Sequence, residues 1–303
     1  MPSASPLLIV NPVAGGGRAR RSFSWLLARL RDRPDVRLVV TERAGQAELM
    51  AAGAAAAGHD RVVAIGGDGT IQEVVNGILA GSAQASLGIL PVGSGNDLAR
   101  SLGIPRDRDA ALAAALGPAE RLVDLLHATN GDGRQRWFGS AGGIGFDAQV
   151  AAAMSTRKGW QSGQAGYLFT TLAELRRFTN RRVVLTLDDE RSERSVLFVA
   201  IANGAYYGGG MHIAPGAAVD DGQFDLCIVG DVSRLTALRQ LVNLYRGTHV
   251  RHPEVTLLRG TRLFIEADAT TGVHLDGEPF GALPLRIELH PARLRVADRV
   301  PAD

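Results

Sequence analysis

Along the first part of the chain, short apolar runs alternate with segments whose apolar residues recur at helical spacing. Leu7 to Asn11 reads as a buried strand, and Arg20 to Leu30 as a helix with Phe23, Leu26, Leu27 and Leu30 on one face. Val36 to Thr41 reads as a second strand, and Gln46 to Ala57 as an alanine-rich helix stopped by Gly58. Strand, helix and strand follow over Arg61 to Ile65, Ile71 to Leu79 and Leu87 to Leu90. After residue 128 the period shortens. The β-rich runs there are Val183 to Leu187, Val196 to Asn203, Phe224 to Val229, Arg262 to Ala267, Val273 to Leu275 and Leu285 to Leu289. Turn clusters such as Asp188-Asp189-Glu190 separate some of them. A helix from Tyr167 to Phe178 and another from Ser233, a good N-cap, to Tyr245 interrupt this region.

Alternating strands and helices predict a parallel sheet covered on both faces, with ligands bound at the carboxyl ends of its strands. The shorter period predicts a largely antiparallel sheet or sandwich. The expected class is therefore α/β, with a parallel-sheet domain over residues 1–128 and a β-rich domain over 129–290. The tail 291–303 is expected to pack back on the first domain, and the two domains to abut around a cleft.

Composition narrows the chemistry. The 33 Lys and Arg against 31 Asp and Glu leave a net charge of +2, too weak a field to imply a nucleic-acid partner. Lys158 is the only lysine, so neither a Walker A loop nor a protein-kinase strand lysine is available. A single cysteine, Cys227, excludes an internal disulfide and a thiolate zinc cage, and its apolar run Phe224 to Val229 makes it a core residue. The first residues lack the basic region of a signal peptide, and no run approaches the about 18 apolar residues of a membrane span. A cytoplasmic location is expected.

Three glycine-rich loops follow predicted strands. Asn11-Pro12-Val13-Ala14-Gly15-Gly16-Gly17 lets backbone N–H groups approach an anion, but lacks the dinucleotide spacing of glycines. Gly66-Gly67-Asp68-Gly69-Thr70 opens a helix that Thr70 is expected to cap. The Asp68 carboxylate would repel phosphate unless a divalent cation lay between them. Pro91-Val92-Gly93-Ser94-Gly95-Asn96-Asp97 adds the short polar groups of Ser94 and Asn96 and a second carboxylate. Together the loops predict a polyphosphate cradle built from backbone dipoles, which replaces the missing lysine.

These loops, with Gly208-Gly209-Gly210, Pro215, Asp220-Asp221-Gly222 and Leu275-Asp276-Gly277-Glu278, resemble the diacylglycerol kinase catalytic family. The nearest branch is similar to the soluble bacterial lipid kinases and to sphingosine and ceramide kinases. The aspartate loop alone is shared with NAD kinases and phosphofructokinases. The resemblance implies a nucleotide-binding α/β domain like those of NAD and diacylglycerol kinases, followed by a β-sandwich that takes the lipid. It implies ATP and Mg²⁺, with Asn11, Thr41, Gly66, Gly67, Asp68, Gly69, Thr70, Ser94 and Asn96 at the nucleotide and Asp68 and Asp97 at the metal. Asp276, with Glu278 beside it, matches the catalytic acidic motif, and Asp221 a region that holds a structural divalent ion in some members. One departure is Ser94-Gly95, where many members have threonine and another small residue; serine keeps the hydroxyl.

The chemistry of the residues agrees, because a positioned carboxylate can accept the proton of a weakly nucleophilic alcohol during phosphoryl transfer. The expected activity is phosphorylation of a hydroxyl on diacylglycerol or a related lipid, with Asp276 as base and transient contact with a membrane surface. Two alternatives stand beside it: a kinase of a soluble substrate such as NAD, and a non-catalytic regulator that binds nucleotide or lipid. Oligomeric state leaves no mark in the sequence. His249-Val250-Arg251-His252 reads as a solvated loop, and His212 and His274 as satisfied polar residues near the motifs, within reach of substrate. Arg176, Arg177, Arg181 and Arg182 flank Phe178 and read as a solvated face, or as a contact for anionic head groups.

Overall fold

A computed structural model describes residues 5–81, 85–155, 164–176, 178–267 and 271–299. Lys158 and Arg177, singled out above, lie outside these residues. The chain divides into two compact units, one of residues 1–123 with 292–303 and one of residues 124–291.

The first unit holds strands β1 (Leu7–Val10), β2 (Arg37–Val40), β3 (Arg61–Gly66) and β4 (Ser86–Pro91). They pair in parallel in the order β2-β1-β3-β4. Helices α1 (Ala14–Arg21), α2 (Phe23–Leu30), α3 (Gln46–Ala56), α4 (Asp68–Ala80), α5 (Asp97–Ser101) and α6 (Arg108–Leu116) accompany them. Every residue of β1 and β3 is buried, so these strands read as unbroken apolar runs rather than alternating ones. The alanines of α3 serve a close helix contact. A Cβ at Gly77 of α4 would lie 2.3 Å from the Glu48 carbonyl oxygen and 2.7 Å from the Ala51 methyl. The helix expected from Arg20 is in fact two, meeting at Ser22, and Gly15 to Gly17 hold positive φ angles of 60°, 66° and 83° at its start.

The second unit contains β5 (Glu120–Asn130, which begins in the first), β6 (Gln135–Phe138), β7 (Ala141–Gly145), α7 (Phe146–Ser155) and α8 (Gln164–Leu175). There follow β8 (Arg181–Leu187), β9 (Glu190–Val196), β10 (Phe198–Ala202), β11 (Phe224–Val229) and α9 (Arg234–Arg246). Strands β12 (Val255–Gly260), β13 (Arg262–Glu266), β14 (Gly272–Leu275), β15 (Glu278–Ala282) and β16 (Leu285–Ala297) complete the chain. The order β12-β11-β10-β7-β14-β15 forms one antiparallel sheet, and β16, β13, β8 and β9 pair antiparallel in sequence of adjacency. Val199 and Ile201 of β10 join Leu185, Ile265 and Leu285 in the core between the two sets of strands. Phe198, Ala200 and Ala202 face the other way and pack with Leu175, Leu241 and Leu244 of the helices. Ser233 caps α9 as expected, its side chain accepting the Thr236 N–H.

Cys227 lies on β11 in the core, and burial, reinforced by the charges of Asp147 and Asp225, pushes its thiol up to about 12. At about pH 8 roughly one such thiol in ten thousand is ionised, so the native protein should resist dithiobis-nitrobenzoate and release its one thiol only on unfolding. Rapid labelling of the native protein would contradict this.

Candidate active site

Parallel strands bring Asn11, Thr41, the Gly66-to-Thr70 loop and the Gly93-to-Asp97 loop to the carboxyl ends of β1, β2, β3 and β4. Asn11 donates its backbone N–H to the Ile65 carbonyl (3.0 Å) and its amide to Thr70 Oγ1 (2.9 Å). Thr41 is buried and donates its N–H to the Val10 carbonyl at 2.9 Å. The cap expected of Thr70 is not made. Helix α4 starts one turn earlier, with Gly67 at its N-cap, and the Thr70 hydroxyl instead accepts from Asn11.

The second and third loops touch through main chain. A Cβ at Gly93 would stand 2.4 Å from the Gly67 Cα and 2.7 Å from Asn96 Oδ1, so this approach requires glycine. Asp68 fastens the two loops. Its Oδ2 accepts the Asn96 N–H at 2.7 Å and its Oδ1 the Asp97 N–H at 2.6 Å. Burial holds its carboxyl above the usual carboxylate range, although those N–H groups pull the other way. Asn96 adopts a left-handed φ of 56° at the start of α5, where its amide donates to the Gly93 carbonyl. Its Oδ1 is buried without a hydrogen-bond partner. A buried, unmatched oxygen beside Asp68 and the buried Asp97 is a set of hard donors that fits a divalent cation. Ser94 is exposed at the tip of this loop.

One cation at this edge escaped the sequence reading. Arg18 donates from Nη2 to the Gly93 carbonyl (2.6 Å) and from Nε to the Gly15 carbonyl (3.1 Å), joining the first loop to the third. Only its spacing of three residues from Gly15 hinted at this.

In the second unit, Asp276 occupies the turn between β14 and β15 with a φ of 47°. Its N–H donates to the Ala141 carbonyl at 2.8 Å. Three successive N–H groups return to the carboxylate: Ser140 (3.1 Å) and Ala141 (3.0 Å) to Oδ1, and Gly139 (3.3 Å) to Oδ2. That segment is itself held by Asn203, buried at the end of β10, whose amide donates to the Gly139 and Asp124 carbonyls. Glu278 is exposed at the start of β15. His274 is buried and faces Asp147 Oδ2 at 3.1 Å, and burial raises the Asp147 carboxyl against the pull of that histidine. This pair explains Gly143 of β7, since a Cβ there would lie 2.0 Å from Asp147 Oδ2.

Arg259 pairs with Asp221 Oδ2, while Oδ1 accepts the Gln223 N–H at 3.1 Å. The described residues contain no group of three or more His, Cys, Asp or Glu placed to hold a metal. His212 stacks on Tyr206 with ring centres 4.6 Å apart. The solvated loop expected at 249–252 is only partly so, because His249 is buried with Nε2 3.1 Å from the Ile213 carbonyl oxygen. Burial lowers its pKa below the usual histidine value. Arg182 pairs with Glu193 at 3.0 Å on an exposed surface.

The second unit also has a recess with about 580 Å³ of empty space, part of it open to solvent. Phe146, Leu172, Leu175, Phe198, Leu241 and Leu244 are among its lining residues, most of which are apolar. Among the described residues, no helix is long and apolar enough to cross a membrane.

A family model described as the diacylglycerol kinase catalytic domain matches residues 5–128. Another, described as the YegS C-terminal NAD kinase beta sandwich-like domain, matches residues 140–298. A diacylglycerol kinase of Mycobacterium tuberculosis (strain ATCC 25618 / H37Rv) is 33% identical over 291 residues, covering 95% of this chain and 93% of its own. A protein of Pseudomonas syringae pv. syringae (strain B728a) named "Probable lipid kinase YegS-like" is 35% identical over 272 residues, 89% of this chain and 84% of its own. The crystal structure of a diacylglycerol kinase from Bacillus anthracis str. Sterne shares the fold, with a TM-score of 0.73 at 22% identity over 98% of each chain.

Proposed function

This chain belongs to the family of diacylglycerol kinases and YegS-like bacterial lipid kinases, and from that premise we propose that it transfers the γ-phosphate of ATP to a hydroxyl of diacylglycerol or a closely related lipid. The phosphates rest on the loops that carry Asn11, Gly66, Gly67, Gly69, Thr70, Ser94 and Asn96, with Thr41 at the end of β2 as a further contact. Asp68 and Asp97, with the Asn96 side-chain oxygen, hold Mg²⁺. The ion when bound neutralises phosphate charge and lets Asp68 stand beside an anion. Asp276 accepts the hydroxyl proton, and Glu278 adds negative charge to the same turn.

The apolar recess carries the choice of acceptor. A lining mostly of hydrocarbon side chains, with Thr171, Gln240, His249 and His252 as its polar members, suits an acyl chain better than NAD, whose polar groups would call for more hydrogen-bonding partners. Retention of Asp276 on a carboxylate-binding turn speaks against a regulator that only binds. The test is incubation with radiolabelled ATP and Mg²⁺, offering dispersed diacylglycerol and NAD in parallel, with products identified by mass spectrometry. Label is expected in a phosphorylated lipid. Label in NAD alone, or in neither acceptor across a panel of lipids, would overturn the reading.

A further inference from the structure

Helix α9 carries two separate apolar stripes. Ala237, Leu241 and Leu244 pack on the core of the second unit. On the other side Leu235, Leu238, Val242 and Tyr245 recur at helical spacing and are 40 to 58% exposed, and no residue of the helix is fully buried. Single exposed leucines are ordinary; a four-residue stripe along one helix is not. Arg234, Arg239 and Arg246 border it, and the helix carries no acid. Among the described residues no ion pair engages Arg239 or Arg246.

The stripe is continuous with the recess. Leu238 belongs to both, forming part of the recess wall while remaining 42% exposed. On α8, across the same recess, Phe169 is 64% exposed, and Leu172 and Leu175 face inward. We infer that α9, with Phe169 of α8, is the surface by which this protein lies on an anionic lipid bilayer, so that the recess opens into the apolar layer from which its substrate comes. This rests on the lipid reading of the recess given above.

The charge pattern selects this occupant. Apolar residues flanked by arginines, without acids, match an interface of acyl chains and anionic head groups. A second copy of the chain fits less well. A two-fold contact through α9 would set arginines against arginines, and one helix face falls short of the about 800 Å² per partner of a stable interface.

The test is co-sedimentation with phosphatidylglycerol–phosphatidylcholine vesicles and with pure phosphatidylcholine vesicles. Wild type is compared with Leu235→Ser/Val242→Ser and with Arg239→Gln/Arg246→Gln, all at exposed positions outside the recess wall. Each double variant should lower partition onto the anionic vesicles by about tenfold or more, and the arginine variant should abolish the preference over neutral vesicles. Both should phosphorylate a short-chain diacylglycerol, dissolved as monomer, at the wild-type rate. Unchanged partition of the serine variant would overturn the proposal. So would a wild-type dimer in sedimentation equilibrium that the serine variant dissolves while vesicle binding is absent. If wild type binds vesicles through α9 but phosphorylates no lipid, the activity reading fails and the bilayer surface stands.

Discussion

Asp276→Asn lowers kcat by about 10²–10⁴-fold while leaving the dissociation constant for ATP within about twofold of wild type. Asparagine keeps the shape of the side chain and one oxygen to receive the Ser140 and Ala141 N–H groups, so the turn survives. What it loses is the capacity to take a proton. The amide also presents N–H groups where Oδ2 accepts from Gly139, which costs one weak hydrogen bond and a small part of stability. Single-turnover kinetics together with isothermal titration of ATP separate the two effects. Turnover within about tenfold of wild type would remove Asp276 from the role of base.

Asp68→Ala reduces kcat/KM by at least about 10²-fold, and for two reasons that a second variant pulls apart. The carboxylate supplies a ligand for the cation, and it also receives the N–H groups of Asn96 and Asp97. Alanine leaves both donors without their acceptor, at a cost of about 1–3 kcal/mol for a partly buried group, seen as a fall of several degrees in Tm. Asp68→Asn restores one acceptor and most of the stability, but not the negative charge. Activity should therefore stay low in the asparagine variant even as Tm recovers. Recovery of both together would make Asp68 a loop brace alone and place the cation elsewhere.

The first unit was easy to read because its physics is local. Strands β1 and β3 are covered on both faces and show as unbroken apolar runs, and the glycine-rich loops follow directly on β1, β3 and β4. The dual task of Asp68 was not readable, since the donors it braces stand 28 and 29 residues further on and carry no side-chain signature. Thr70 was misread as a cap for the same reason, its partner Asn11 lying 59 residues away. Strand β7 escaped notice because Ala-Gly-Gly-Ile-Gly has almost no strand-forming side chains. Its glycines answer to packing against Leu275 and against the buried Asp147–His274 pair. Asn203 looked like the polar end of an apolar run, and its role as the brace of the Asp276-binding turn depends on residues from β5 and the β6–β7 link. The pairing of Asp221 with Arg259, 38 residues on, was likewise not readable from the acidic cluster in which Asp221 sits.

The last strand has a bearing on how the chain is made. β16 begins in the second unit and ends in the first, where Val296 pairs with Leu87 of β4 and Asp298 meets Arg121 at 3.4 Å. During synthesis the first unit's β1 to β4 emerge before β16, and the β4 edge stays open until β16 has been made. An unpaired edge of that kind recruits other strands. The nascent chain thus passes through an interval, about 170 residues long in translation, in which a chaperone has an edge to guard.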